Sequence, residues 1–251
     1  MLVGKKILVF DIETSQMLVK VWQLRGNDYI DPGRIVNDWF VICWAAKWFD
    51  DDKMETGVLT SKEAKNRNDK RIVKKIWNLF DEADIVIAHN GDRFDIAKLK
   101  ARFLKHDLKL PSPYKSVDTL KVARREFRLT SNKLDYICGF TGLTKKIETG
   151  GISLWDDSEA GDNKALKKMD EYCQNDVRIL ENMYIKLRPY IKNHPNIGLI
   201  DGNKIACPNC GSLNVNKRGF NTNRVSKSQR WQCLDCGSWH SSPLKENSQI
   251  R

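Results

Sequence analysis

Two hydrophobic rhythms alternate along the chain. Lys6–Phe10 carries a short unbroken apolar run, fit for a strand buried on both faces, and the run ends on Asp11 and Glu13. Trp39–Trp48 is rich in β-branched and aromatic residues, and Lys53–Leu59 can follow it as a hairpin partner across Asp50–Asp52. The period then changes. Over Asp69–Phe80, the residues Ile72, Val73, Ile76, Leu79 and Phe80 recur at helical spacing and predict one apolar helix face. Asp84–Ala88 predicts a strand and Phe94–Leu104 a helix; after Pro111-Ser-Pro113 a strand leads to Asp118, and a helix follows over Thr119–Phe127. Asn132–Phe140 reads as another helix, and Asn163–Ile191 as one or two long ones.

Three strands followed by alternating helices and strands predict an α/β fold, a mixed sheet with helices on both faces. Asp28–Arg34 interrupts the early strands as a surface loop, and Thr149–Ile152 with Asp156–Asp162 forms a polar, turn-rich interval.

Composition narrows the class. A 41% hydrophobic fraction and eight tryptophans indicate a packed globular protein, and 251 residues allow one full core plus a small second module. The formal net charge of +11 favours a polyanionic partner, most commonly nucleic acid; a solvated basic surface is the alternative. The first apolar run is too short for a signal peptide and no stretch approaches a membrane span. A soluble, cytoplasmic protein with no membrane partner is therefore expected, its seven cysteines reduced unless they bind metal. Composition shifts after Pro195: from Asp201 onward there are eight Lys/Arg against three acids. The expected division is a main domain over 1–195, a linker over 196–203, a small module over 204–242 and a flexible tail over 243–251.

Residues two apart on a strand share a face, so Asp11 and Glu13 put two repelling carboxylates side by side and call for a positive charge between them. Two further stretches supply more acids. His89-Asn-Gly-Asp-Arg-Phe-Asp95 follows a strand and opens a helix, and Tyr172 and Asp176 are four apart on one helical face. Phosphodiester cleavage needs a deprotonated water, an in-line approach and neutralised oxygen charge. Two divalent ions about 4 Å apart supply all three, and hard carboxylate oxygens suit Mg²⁺ or Mn²⁺.

Asp11-x-Glu13, Asn90-x-x-x-Phe94-Asp95 and Tyr172-x-x-x-Asp176, in this order, resemble the three exonuclease motifs of the DEDD superfamily, tyrosine branch. Within that branch the chain is similar to proofreading domains of family B DNA polymerases and their stand-alone, phage-type relatives. The resemblance spans roughly residues 5–190 and implies a ribonuclease H-like five-stranded mixed sheet and two-metal 3′→5′ exonuclease chemistry. It further implies that Asp11 bridges both metals, that Glu13 and Asp176 serve mainly the one that activates water, and that Asp95 serves the other. Tyr172 orients the water, since a phenol near pKa 10 is a poor base at neutral pH. Asn90 and Phe94 match positions that contact the substrate end, although Phe94 could equally pack in the core. The histidine branch would need His where this chain has Glu171. Asp118 reads as a helix cap, His89 as structural, and Cys43, Cys138 and Cys173 as core thiols.

Cys207-Pro-Asn-Cys210 and Cys233-Leu-Asp-Cys236 are two CxxC knuckles 22 residues apart, the spacing of a tetrahedral structural Zn²⁺ site. A segment this small depends on the metal for folding. Between the knuckles Lys217, Arg218, Arg224 and Arg230 are interleaved with Trp231, which suits phosphate contacts and base stacking. The segment resembles zinc ribbons of transposase-associated and other nucleic-acid proteins; a purely structural or protein-docking ribbon is the rival. His240 is read as a bystander.

The combined expectation is a 3′→5′ exonuclease using two Mg²⁺ or Mn²⁺ and one structural Zn²⁺, acting on single-stranded DNA 3′ ends. It would work alone or beside a separate polymerase or replication protein. A ribonuclease or endonuclease of the same fold, or a non-catalytic nucleic-acid-binding adaptor, are the alternatives.

Overall fold

The computed structural model describes residues 5–23, 29–143 and 151–243. The expected Asp28–Arg34 loop and Thr149–Ile152 turn lie partly outside them, as does the expected tail over 243–251, of which only Pro243, the end of a strand, is described.

In chain order, β1 (Ile7–Thr14) precedes the short β2 (Leu18–Val19) and β3 (Ile35–Asn37), then β4 (Val41–Trp48) and β5 (Glu55–Val58). Helices α1 (Ser61–Lys65) and α2 (Lys70–Glu82) lead to β6 (Ile85–Ala88), α3 (Asp95–Lys105), β7 (Lys115–Asp118), α4 (Thr119–Glu126) and α5 (Leu134–Thr141). The helices α6 (Ser153–Glu159), α7 (Asn163–Leu187) and α8 (Ile197–Ile200) complete the main body, and β8 (Val215–Thr222), β9 (Lys227–Cys233) and β10 (Trp239–Pro243) form a separate three-stranded sheet.

The main sheet has five strands in the order β5-β4-β1-β6-β7. β4 is antiparallel to both β1 and β5, while β6 runs parallel to β1 and to β7. This is the mixed, helix-flanked sheet that the order of elements predicts. Central position explains why Ile7, Leu8, Val9 and Phe10 are all buried although successive side chains point to opposite faces. On α2, the five residues read as its apolar face are the five that are buried.

Three elements were not foreseen. β2 and β3 pair into a two-stranded ribbon, with Val36 and Leu18 exposed; their lack of burial is why no pattern marks them. Helix α1 starts on a capping box, Thr60 with Glu63. The third is a correction: Asp156–Glu159, read as part of a turn-rich interval, is helical in α6. Its acids are spent on distant partners. Glu159 accepts from the Gln16 backbone N–H (2.7 Å), Asp156 accepts from the Gln16 side-chain amide (2.9 Å), and Arg67 pairs with Glu159 (3.6 Å). Buried Leu154 anchors the helix beneath them.

One buried polar cluster ties the layers together. Asp69 is fully buried and accepts from the Arg102 guanidinium (2.5 Å), the His106 ring (2.6 Å) and the Val41 backbone N–H (2.9 Å). It thereby joins α2, α3 and β4. Replacing Asp69 by Ala strands the buried Arg102 charge, and urea denaturation should show a loss of about 3–5 kcal/mol; a loss below 1 kcal/mol would mean that the cluster contributes nothing beyond packing.

Candidate functional site: a carboxylate cluster and a four-cysteine centre

β1 continues past its apolar run, so Asp11 and Glu13 stand on the central strand opposite Ala45 and Cys43 of β4. The register shifts just after Glu13, and pairing with β4 resumes at Thr14 opposite Val41. Helix α7 crosses β1 and β4 and brings Asp176, itself buried, to the same spot. Carboxylate oxygens of Asp11, Glu13 and Asp176 all lie within 4.8 Å of one another. Three like charges at this spacing repel, and hard oxygen donors so arranged fit Mg²⁺ or Mn²⁺.

Asp95 is not one of that triplet but adjoins it. It opens α3, is buried, and accepts from the backbone N–H of Ile12, the residue between Asp11 and Glu13 (3.3 Å). Burial, with the nearby Asp118 charge adding to it, pushes its carboxyl up to about 7. The turn that delivers Asp95 is tightly specified. Asn90 adopts a left-handed φ of 67°, and a Cβ on Gly91 would collide with that of Ala88. Asp118 caps α4 through the N–H groups of Leu120 and Lys121, and also accepts from the Asn90 N–H (2.9 Å). The expected cap therefore doubles as a brace for this turn. His89 is structural, bonding Thr119 (2.9 Å) and donating to the Asn132 carbonyl (3.0 Å).

Phe94 is 38% exposed and so is not core packing; the Lys98 ammonium lies 5.0 Å from its ring and 3.8 Å from that of Trp39. Tyr172, one turn before Asp176, is half-buried and meets Trp155 of α6 edge-on at 6.1 Å. Trp155, Ile152 and Thr14–Gln16 line a cavity of about 500 Å³ beginning one residue after Glu13. A second cavity, about 670 Å³, is lined by Asn90, Arg124 and Lys133 among others. Sequence reasoning missed Trp155, and it read Cys173 as a core thiol, which its burial bears out, without placing it beside Asp11. The Cys173 thiol is buried 3.4 Å from the Asp11 carbonyl and 3.7 Å from its carboxylate. Its only signal was its place next to Tyr172.

The four cysteines of the two knuckles also converge, with all sulfurs within 4.8 Å. Cys207 and Cys236 are 3.7 Å apart, Cys210 and Cys233 3.6 Å. Disulfide sulfurs are bonded at about 2 Å, whereas thiolates about 2.3 Å from a tetrahedral zinc stand roughly 3.8 Å apart. The donor set fits Zn²⁺. Each knuckle closes the same way: Gly211 donates to the Cys207 carbonyl and Gly237 to that of Cys233, both glycines at φ 78°. The Ser238 hydroxyl reaches both Cys207 (3.1 Å) and Cys236 (3.0 Å).

The first knuckle docks on the main body. The Asn209 side-chain amide donates to the carbonyls of Arg188 (2.9 Å) and Ile191 (3.0 Å) just past the end of α7, and Ile197 N–H donates to Pro208 (2.8 Å). Within 196–203, α8 buries Ile197 in the main core. Lys217 and Trp231 are direct neighbours across β8 and β9 and share a face, with Lys217 5.6 Å from the Trp231 ring. Trp231 is half-buried, stacked on His240 (6.4 Å) and tied through its indole N–H to Ser242 (2.9 Å). Arg218 and Arg230 share the other face, and Arg224 lies in the turn between β8 and β9.

Among the described residues, no helix is long and apolar enough to cross a membrane. The RNase_H_2 family model of the RNase_H superfamily matches residues 37–188, and the chain belongs to that superfamily. The matched span includes Asp95, Tyr172 and Asp176, while Asp11 and Glu13 precede it on β1. Membership points to a nucleic-acid hydrolase that works with divalent metal ions. No curated protein matches the chain.

Two outcomes are expected. Metal analysis of the purified protein gives one zinc per chain, and Cys233→Ser abolishes it; two chains sharing one zinc would contradict the intrachain centre. Asp95 titrates above its unfolded value, so its burial penalty is absent at low pH, grows as pH rises, and is full above about 7. Without added divalent cation, Asp95→Asn therefore stabilises the protein at pH 8 by up to about 4 kcal/mol and far less at pH 5. Equal effects at both pH values in thermal denaturation would contradict this.

Proposed function

We propose that the protein is a 3′→5′ exonuclease dependent on two divalent metal ions, acting on single-stranded DNA ends, with the nuclease unit over 1–195 and a zinc ribbon over 204–242 that helps hold the substrate. The observation that carries this reading is the meeting of Asp11, Glu13 and Asp176 within 4.8 Å, with Asp95 joined to them through Ile12 and Tyr172 one turn from Asp176. Four acids from β1, α3 and α7 and a tyrosine are the complete set that the DEDD tyrosine branch uses.

When bound, the two ions would supply a lowered pKa for the attacking water and neutralise charge on the phosphate and the leaving oxygen. Asp11, Glu13 and Asp176 would hold them, with Asp95 beside them as the fourth acid. Tyr172 orients the water through its hydroxyl, its ring fixed by Trp155. Asn90, which lines a cavity, and exposed Phe94 belong to the turn that leads into Asp95 and are suited to the last nucleotides of a strand. The preference for DNA rests on the likeness of Asn90-x-x-x-Phe94-Asp95 to the polymerase-associated branch. The enzyme would act alone or beside a separate polymerase or replication protein.

The test is degradation of 5′-labelled single-stranded DNA and RNA of equal sequence with Mg²⁺ or Mn²⁺, beside circular and 3′-blocked DNA. A ladder shortening from the 3′ end is expected, reduced about a hundredfold or more by Asp11→Ala and about tenfold to a hundredfold by Tyr172→Phe. Cleavage of circles would make it an endonuclease, and RNA alone cut would make it a ribonuclease. Binding without any cleavage would favour an adaptor.

A further inference from the structure

Outside the nuclease site, one charged surface stands apart. β8, β9 and β10 contain Lys217, Arg218, Lys227 and Arg230 and no acid, and Arg224 adds a fifth cation at the turn between β8 and β9. The acids of the knuckle end are engaged elsewhere: Asp201 pairs with Lys5, and Asp235 accepts from Ser212 and Asn214. The arm is thus polarised, basic along its strands.

Its two faces differ. One face carries Lys217, half-buried Trp231 and His240, with Phe220 and Lys227 toward the hairpin turn, where Lys227 lies 4.2 Å from the Phe220 ring. There Trp231 spends its ring on His240 and its N–H on Ser242, as ribbon packing. The other face carries Arg218, Arg230, Gln232 and Trp239. Trp239 is 52% exposed, and the Arg230 guanidinium sits over its ring at 5.2 Å while its Nε donates to the Arg218 carbonyl (2.9 Å). Arg218 in turn donates to Gln232 (3.1 Å). Two guanidinium groups are held in place beside an exposed indole. A bulge makes this possible: Arg218 and Gly219 together oppose Arg230, and Gly219 takes a φ of 73°.

We propose that the Arg218–Arg230–Trp239 face of the ribbon is the docking surface for a single-stranded nucleic acid, one base stacking on Trp239 and the flanking phosphates paired by the two arginines. The chemistry is a planar π-surface beside fixed, forked cations, which suits a flexible polyanion with exposed bases better than a duplex, whose bases are stacked away. Trp239, unlike Trp231, presents its ring; Phe220 on the opposite face is 49% exposed but is a smaller ring with only the Lys227 ammonium beside it. This deepens the nuclease reading by naming where the strand is held away from the carboxylates, but it can stand without it.

The test measures binding of a fluorescent 20-nucleotide oligothymidylate by anisotropy, with full-length zinc-loaded Asp11→Ala protein so that the strand stays intact. Trp239→Ala should weaken binding about tenfold, and Arg230→Ala several-fold with a shallower salt dependence. Trp239→Phe should keep most of the affinity, and Phe220→Ala and Lys227→Ala, on the opposite face, should change it less than twofold. Zinc content of one per chain checks each variant. Photocrosslinking of iododeoxyuridine-containing strand to the unmutated chain gives a second readout, with the adduct expected on Trp239. Unchanged binding by zinc-replete Trp239→Ala and Arg230→Ala, or loss and crosslinking concentrated at Phe220, would overturn the proposal. Trp239-dependent binding without strand degradation by the wild type would sink the nuclease reading and leave this one intact.

Discussion

Electrostatic repulsion at the end of β1 is the constraint around which the rest of the fold is arranged. Three carboxylates within 4.8 Å cannot be a resting place for loose side chains. Each must be delivered by an element too well anchored to swing away. Asp11 and Glu13 ride the central strand, which β6 pairs over Ile7–Val9 and β4 pairs on past both acids. Asp176 rides a 25-residue helix with eleven buried positions. Asp95 is fixed at the start of α3 by a strained turn, a glycine with no room for a side chain, and the bracing carboxylate of Asp118. Much of the core is therefore the scaffold that holds the acids against one another.

The same arrangement explains what could be read from the sequence. β1, β4, α2 and β6 were legible because their burial is two-sided or strictly periodic, and Ile7–Phe10 or Ile72–Phe80 leave no other reading. The acids were legible because Asp11, Glu13, Asp95 and Asp176 sit in short motifs whose order is itself informative. What stayed hidden depends on partners far along the chain. Helix α6 owes its place to Gln16 and Arg67, more than eighty residues away, so its acids look like solvent-facing turn residues when read locally. The Asp69–Arg102–His106 cluster joins residues over thirty positions apart. Trp231 and Trp239 look alike in sequence; only the pairing of β9 with β10 shows which ring is tucked against His240 and which faces outward.

The C-terminal segment solves a different problem. Its strands bury little, and β8 is exposed along almost its whole length. Four sulfurs and two matching glycine turns organise it where a hydrophobic core cannot. Yet it is not merely strung behind the main body. Asn209, inside the first knuckle, donates to two carbonyls just beyond the end of α7, those of Arg188 and Ile191.

That contact makes α7 a strut of fixed length. Asp176 lies in its middle and Arg188 directly at its end, twelve residues on, so a rise of 1.5 Å per residue separates the acids from the knuckle by about 18 Å along the helix axis. The helix cannot stretch, and its buried face prevents rotation. The two centres are consequently surveyed from a single baseline: whatever chain of atoms touches both must span a gap set once, by helix geometry, and not by the slack of a tether.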